Sequence, residues 1–147
     1  MSTDTGTSLR VTRVIKADPV TVFDAWTQAD QLKRWSCPEG MTVGDAEVDL
    51  RVGGRYRIVM KNDEGSTHTA YGVYREIERP RRLVYTWSWE EDEDRGIGET
   101  LVTVEFTDLG GSTEVALTHE LFPDAEAKAS HEKGWTSCLN RLERMFS

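Results

Sequence analysis

Three groups of residues carry side chains suited to chemistry or recognition. Tyr85, Trp87 and Trp89 recur at every second position, so a strand sets all three rings on one face. Rings in register wall a ligand pocket as readily as they fill a core, each burying about 150–250 Å². His119 alternates with Leu117 and Leu121 and is predicted to point with them. A histidine on an apolar face is first a core residue with a satisfied hydrogen bond, and second a group that orients or protonates a ligand. Acid–base catalysis needs a titratable group within reach of substrate. His119 and Tyr85 are the two candidates, and neither has an activating partner evident from the sequence. His131 is placed to neighbour His119. Together with Glu120 or Glu132 the pair would suggest a metal, but Glu120 falls on the opposite strand face and no i,i+4 histidine pair exists.

Other motifs point away from specific chemistries. Gly53-Gly54 lies between strand-like segments rather than before a helix, the wrong context for phosphate. No nucleophile elbow is present. Cys37 and Cys138 are far apart and outside any C-x-x-C motif, so they read as reduced, partly buried thiols. A cytosolic setting disfavours a disulfide between them. The run Glu90-Glu91-Asp92-Glu93-Asp94 repels itself and reads as a solvated loop; it lacks the spacing of a calcium site. Arg79-Pro80-Arg81-Arg82 reads as a solvated turn.

The elements that position these residues follow from period and punctuation. Residues 1–7 are small and polar and are predicted to fray. Residues 9–17 alternate as a strand. Asp18-Pro19 then caps a helix burying Val22, Phe23 and Trp26. Asp30 is read as the cap of a second short helix through Leu32 and Trp35. From Met41 the period is two. Strands are predicted over 42–50, 55–61, 67–78, 83–89, 101–107 and 113–121, separated by turn residues. Tyr56, Ile58 and Met60 share one face; Arg55 and Arg57 share the other. Val102, Val104 and Phe106 are in phase, as are Val115, Leu117 and His119. Pro123-Asp124 opens a long amphipathic helix running almost to Ser147, with His131, Trp135, Cys138, Leu139, Leu142, Met145 and Phe146 on its apolar stripe. Gly134 lies inside it at a cost of about 1 kcal/mol relative to alanine, which points to close packing on the sheet or to a bend that opens room. Such a helix after a β-rich body buries its stripe across the concave face of a bent antiparallel sheet.

At 147 residues, residues 8–147 read as one domain. A hydrophobic content of 37% and a charged content of 30% fit a soluble globular chain. No apolar run approaches the ~20 residues of a membrane span, and the N-terminus lacks a signal-peptide apolar region, so the cytoplasm is the expected compartment. Eighteen basic residues against 26 acidic ones leave a net charge of −8, which opposes nucleic-acid binding.

The ordered segments ADPV at 17–20, LKRW at 32–35, DLRVGGRY at 49–56, GVYREI at 72–77, PRRLVYTW at 80–87, LTHE at 117–120 and HEKGW at 131–135 resemble the activator of Hsp90 ATPase homologue-like family of the START-like (SRPBCC) superfamily. The likeness spans about Val11 to Met145. It implies an α+β helix-grip fold: a curved antiparallel sheet of six or seven strands wrapped around the C-terminal helix, with two short helices after the first strand. It also implies an internal cavity for a hydrophobic ligand. In this sequence the expected cavity residues are Trp26, Trp35, Tyr56, Ile58, Tyr85, Trp87, Val104, Phe106, Leu117, His119, Trp135 and Leu139. No metal, cofactor or catalytic residue is expected. Three roles stay open: a non-catalytic carrier or sensor of a small hydrophobic or aromatic molecule, a co-chaperone-like module for an Hsp90-type ATPase, and a cyclase- or hydratase-like enzyme.

Overall fold

A computed structural model of the chain describes residues 8–90 and 98–146. The N-terminal residues 1–7 and the acidic residues 91–94 lie outside the described residues. The elements run β1 (Leu9–Ile15), α1 (Pro19–Thr27), α2 (Ala29–Trp35), β2 (Thr42–Val48), β3 (Arg55–Lys61), β4 (Thr67–Glu78), β5 (Arg82–Trp89), β6 (Thr100–Asp108), β7 (Thr113–Glu120) and α3 (Ala125–Met145). The strands form one seven-stranded sheet in the order β1-β7-β6-β5-β4-β3-β2. Every adjacent pair is antiparallel. Six strands therefore meander, and β1 returns to the far edge beside β7. The two short helices bridge from that edge to β2 at the other. This is the expected helix-grip fold. Among the described residues no helix is long and apolar enough to cross a membrane.

Local chemistry explains the boundaries. Thr21 N donates to Asp18 Oδ1 at 2.8 Å, with Pro19 in the first helical turn, so α1 starts where its cap predicts. Asp124 caps α3 in the same way through Ala127 N, at 2.8 Å. Asp30 does not cap α2. The cap position is Gln28, whose extended backbone makes the turn between helices, and Asp30 sits in the first turn where its charge suits the helix dipole. β7 also ends one residue earlier than expected. Leu121 takes a φ of 74° and stays exposed, and the redirected chain puts Phe122 into the core instead.

One glycine is required by close approach. Gly72 of β4 lies hard against the β5 backbone, and a Cβ there would fall 2.0 Å from the Thr86 carbonyl oxygen. That oxygen also accepts the Tyr56 hydroxyl at 2.5 Å, and Thr86 Oγ1 accepts Val73 N at 2.9 Å.

The core sits between the inner sheet face and the helices. Ile15, Phe23, Leu83, Val104, Leu117, Leu139 and Leu142 are fully buried in it. His119 is buried among them with a complete set of partners. Trp135 Nε1 donates to His119 Nδ1 at 2.9 Å, and His119 Nε2 lies 2.6 Å from Thr100 Oγ1. Thr100 Oγ1 in turn donates to the Trp87 carbonyl at 2.9 Å. An indole N–H only donates, so Nδ1 is unprotonated and Nε2 carries the proton. Burial, and secondarily the nearby His131, hold the His119 pKa well below the ordinary histidine value.

Two outcomes follow from this packing. Gly72→Ala destabilises the fold by about 3 kcal/mol or prevents folding, measured by urea denaturation, because backbone rather than a flexible side chain blocks the new methyl. In the unfolded chain His119 titrates near pH 6.5; in the folded chain it titrates well below. Between those values the unfolded state binds the extra proton, so the stability held above about pH 6.5 drains away as pH falls, at up to ~1.4 kcal/mol per pH unit. Denaturation curves below pH 6.5 are therefore steeper in pH for the native chain than for His119→Gln; equal slopes would refute the neutral buried imidazole.

Candidate functional site

A cleft of about 220 Å³ opens between α3 and the inner face of the sheet. The two-residue period of β5 brings Trp87 and Trp89 to its wall, and Met60 of β3 and His68 of β4 continue that surface. From α3, steps of three and four residues contribute Ser130, His131, Gly134, Trp135 and Cys138. The segment after α2 closes the third side with Ser36, Pro38 and Met41.

Within that segment Met41 N donates to the Pro38 carbonyl at 3.1 Å, and α3 holds the rest. Arg141 Nη1 reaches the carbonyls of Cys37 at 3.1 Å, Met41 at 3.2 Å and Pro38 at 3.4 Å, and Cys37 Sγ at 3.0 Å. Ser137 Oγ accepts Glu39 N at 2.8 Å, and Arg144 pairs with Glu39. Gly134 is not packed tightly on the sheet. A Cβ there would meet only Pro38 Cγ, at 4.0 Å, so close packing on the sheet is not the cause and the position faces the cleft.

Electrostatically the cleft is bland. Its twelve lining residues among those described include no Lys, Arg, Asp or Glu. Trp89 Nε1 donates to His131 Nε2 at 2.9 Å, and His131 Nδ1 lies 2.7 Å from the Ala127 carbonyl, which fixes this ring as the Nδ1–H tautomer. The His131 and His119 rings are neighbours, 5.3 Å between centroids. Burial pushes the Cys138 thiol far up, so it stays protonated and unreactive. Cys37 is shifted the same way, chiefly by burial, and both cysteines are free. Among the described residues no cluster of three or more His, Cys, Asp or Glu could hold a metal ion.

The twelve residues expected from the sequence fall into three sets. Trp87 and Trp135 line the cleft. Trp26, Trp35, Tyr56, Ile58 and Tyr85 surround a separate inner void of about 20 Å³, where Trp87 and Trp135 also reach. One probe sphere takes roughly 10–15 Å³, so that void fits no more than a water. Around it Trp26 and Trp35 lie 4.5 Å apart, Tyr56 and Tyr85 5.2 Å apart, and Trp26 Nε1 donates to the Tyr85 hydroxyl at 3.1 Å. Val104, Phe106, Leu117, His119 and Leu139 line neither space and belong to the close-packed core. Of the cleft residues outside the expected set, Met60 had a signal, sharing a strand face with Tyr56 and Ile58. Pro38 and Met41 had none, because an irregular segment has no period to read.

The fold agrees with known proteins. The family model for activator of Hsp90 ATPase homolog 1-like protein matches residues 16–147. A crystal structure of a Chromobacterium violaceum protein superposes with a TM-score of 0.86 at 28% identity, covering 95% of this chain and 96% of that one. The AHSA1 protein of Silicibacter pomeroyi gives 0.83 at 30% identity, covering 94% and 96%. An HSP90 activator of Plasmodium falciparum gives 0.75 at 28% identity, covering 95% of each chain. No curated protein matches the chain. With nearly its whole length accounted for by one family model, the chain belongs to the activator of Hsp90 ATPase homolog 1-like family.

Proposed function

We propose that the protein binds a small hydrophobic or aromatic molecule between α3 and the sheet, as a carrier or sensor without turnover. The observation that carries this reading is the cleft itself, walled by Trp87, Trp89 and Trp135 with Met41 and Met60, and left open by Gly134. Apolar pockets with a few polar groups are the usual form of small-molecule sites. A one-ring ligand burying ~200 Å² gains about 5 kcal/mol before association costs, which corresponds to modest affinity. The acid–base candidates weigh against the cyclase- or hydratase-like reading. His119 is locked between Trp135 and Thr100, and burial raises the Tyr85 hydroxyl far from neutrality.

A second reading rests on the family and on the likeness to the Plasmodium HSP90 activator: interaction with an Hsp90-type ATPase. The two readings separate experimentally. Gly134→Leu projects a side chain into the cleft while removing a helix-interior glycine, so it weakens binding of ethylbenzene at least tenfold, read by quenching of the cleft tryptophans, without lowering Tm. Unchanged ethylbenzene affinity in this variant, or no binding by the native chain, sinks the ligand reading. Stimulation of an Hsp90-type ATPase, equal for the native chain and Gly134→Leu, supports the co-chaperone reading; no stimulation removes it.

A further inference from the structure

We infer that the cleft's occupant is an uncharged molecule bearing a hydrogen-bond acceptor, and that the indole N–H of Trp87 donates to it; this rests on the cleft being a binding site. The chain has five tryptophans. Four indole N–H groups have partners: Trp26 on the Tyr85 hydroxyl at 3.1 Å, Trp35 on the Ala25 carbonyl at 2.9 Å, Trp89 on His131 at 2.9 Å and Trp135 on His119 at 2.9 Å. Trp87 Nε1 is the one buried side-chain nitrogen or oxygen among the described residues with no partner. Buried polar groups are nearly always satisfied, so an exception calls for a cause.

The surroundings supply one. Trp87 is only 6% exposed, with the rings of Trp135 at 5.1 Å, Trp89 at 5.5 Å, His119 at 5.9 Å and Tyr56 at 6.3 Å. His119 has both ring nitrogens engaged, and the Tyr56 hydroxyl, which donates to the Thr86 carbonyl, makes no bond to Trp87. Beyond these rings Trp87 borders both the cleft and the inner void, and its Nε1 is covered by its neighbours. A molecule seated in the cleft brings an acceptor to it with a small turn of the indole, whereas a water in the void would leave the group indifferent to what fills the cleft. The occupant is uncharged because none of the described lining residues is a Lys, Arg, Asp or Glu that could replace lost hydration. The net charge of −8 further opposes anions. Its size follows from the volume: a dry cavity of ~150 Å³ holds benzene. A cleft of about 220 Å³ therefore takes one ring with a short substituent, the size of a simple aryl ketone, ester or amide.

Acetophenone and α-methylstyrene test this, since they share an outline and differ by a carbonyl oxygen against a methylene. In protein labelled with ¹⁵N-tryptophan, the indole resonance lost in Trp87→Phe identifies the group. Both probes should bind the native chain, and acetophenone alone should move the Trp87 indole proton downfield. The preference for acetophenone over α-methylstyrene should fall about fivefold in Trp87→Phe, the worth of one neutral hydrogen bond. If that variant fails to fold, benzothienylalanine at position 87 keeps the ring outline and removes only the N–H. An unchanged preference, or a downfield shift at a different indole, overturns the inference and leaves the cleft a binding site. Binding of neither probe overturns both.

Discussion

The hydrogen bond from Trp135 to His119 is the constraint on which the rest of the arrangement depends. Apolar packing is non-directional, so a long helix across a concave sheet can slide or roll at little cost. The Trp135 indole and the His119 imidazole remove that freedom, because each is buried and each needs the other. Any other placement of α3 leaves a donor and an acceptor unsatisfied in the interior, at about 1–3 kcal/mol apiece. His119 is itself anchored through Thr100 to the backbone of β5. The pin thus ties α3 to three neighbouring strands, β5, β6 and β7.

The cleft is a consequence of where that pin falls. One step before Trp135 along α3 stands Gly134, and opposite it runs the segment following α2. Two large neighbours on the helix would have filled the space, but a glycine beside a tryptophan leaves it open. The segment at 36–41 cannot collapse inward, since Arg141 holds three of its carbonyls and Arg144 and Ser137 hold Glu39. A guanidinium presents its donors in a rigid fork and suits this multi-carbonyl role. The opening is therefore a product of the same helix that seals the core.

Two spaces in one sheet-and-helix sandwich have different characters. The inner void is ringed by tyrosines and tryptophans in edge-to-face contacts, for example Trp26 with Trp35 at 4.5 Å and Tyr56 with Tyr85 at 5.2 Å. Around it the Trp26, Trp35, Tyr56 and Tyr85 polar groups bond to one another or to backbone. The cleft, by contrast, is walled partly by methionines, which adapt to irregular shapes; the unpartnered Trp87 indole borders both spaces. Family membership describes the scaffold common to both spaces; the polarity of the cleft is particular to the residues at these positions.

Period and punctuation made most of the fold legible. Alternation identified the faces of β3, β5, β6 and β7, as at Tyr56, Ile58 and Met60, and Asp18-Pro19 and Asp124 marked two helix starts through capping chemistry that is local by nature. The apolar stripe of α3 was also a local signal, and it required a concave partner. Depth was not local. Leu117, His119 and Trp87 share the inner face, yet only the last borders open space, because that depends on what lies across the gap. The turn at Leu121, the seat of Pro38 and Met41, and the partnering of four indoles but not the fifth arise from contacts between residues up to about a hundred positions apart. Sequence by itself therefore determined which side chains face inward. Whether they meet another side chain or an empty space was decided only when α3, the sheet and the segment after α2 closed on one another.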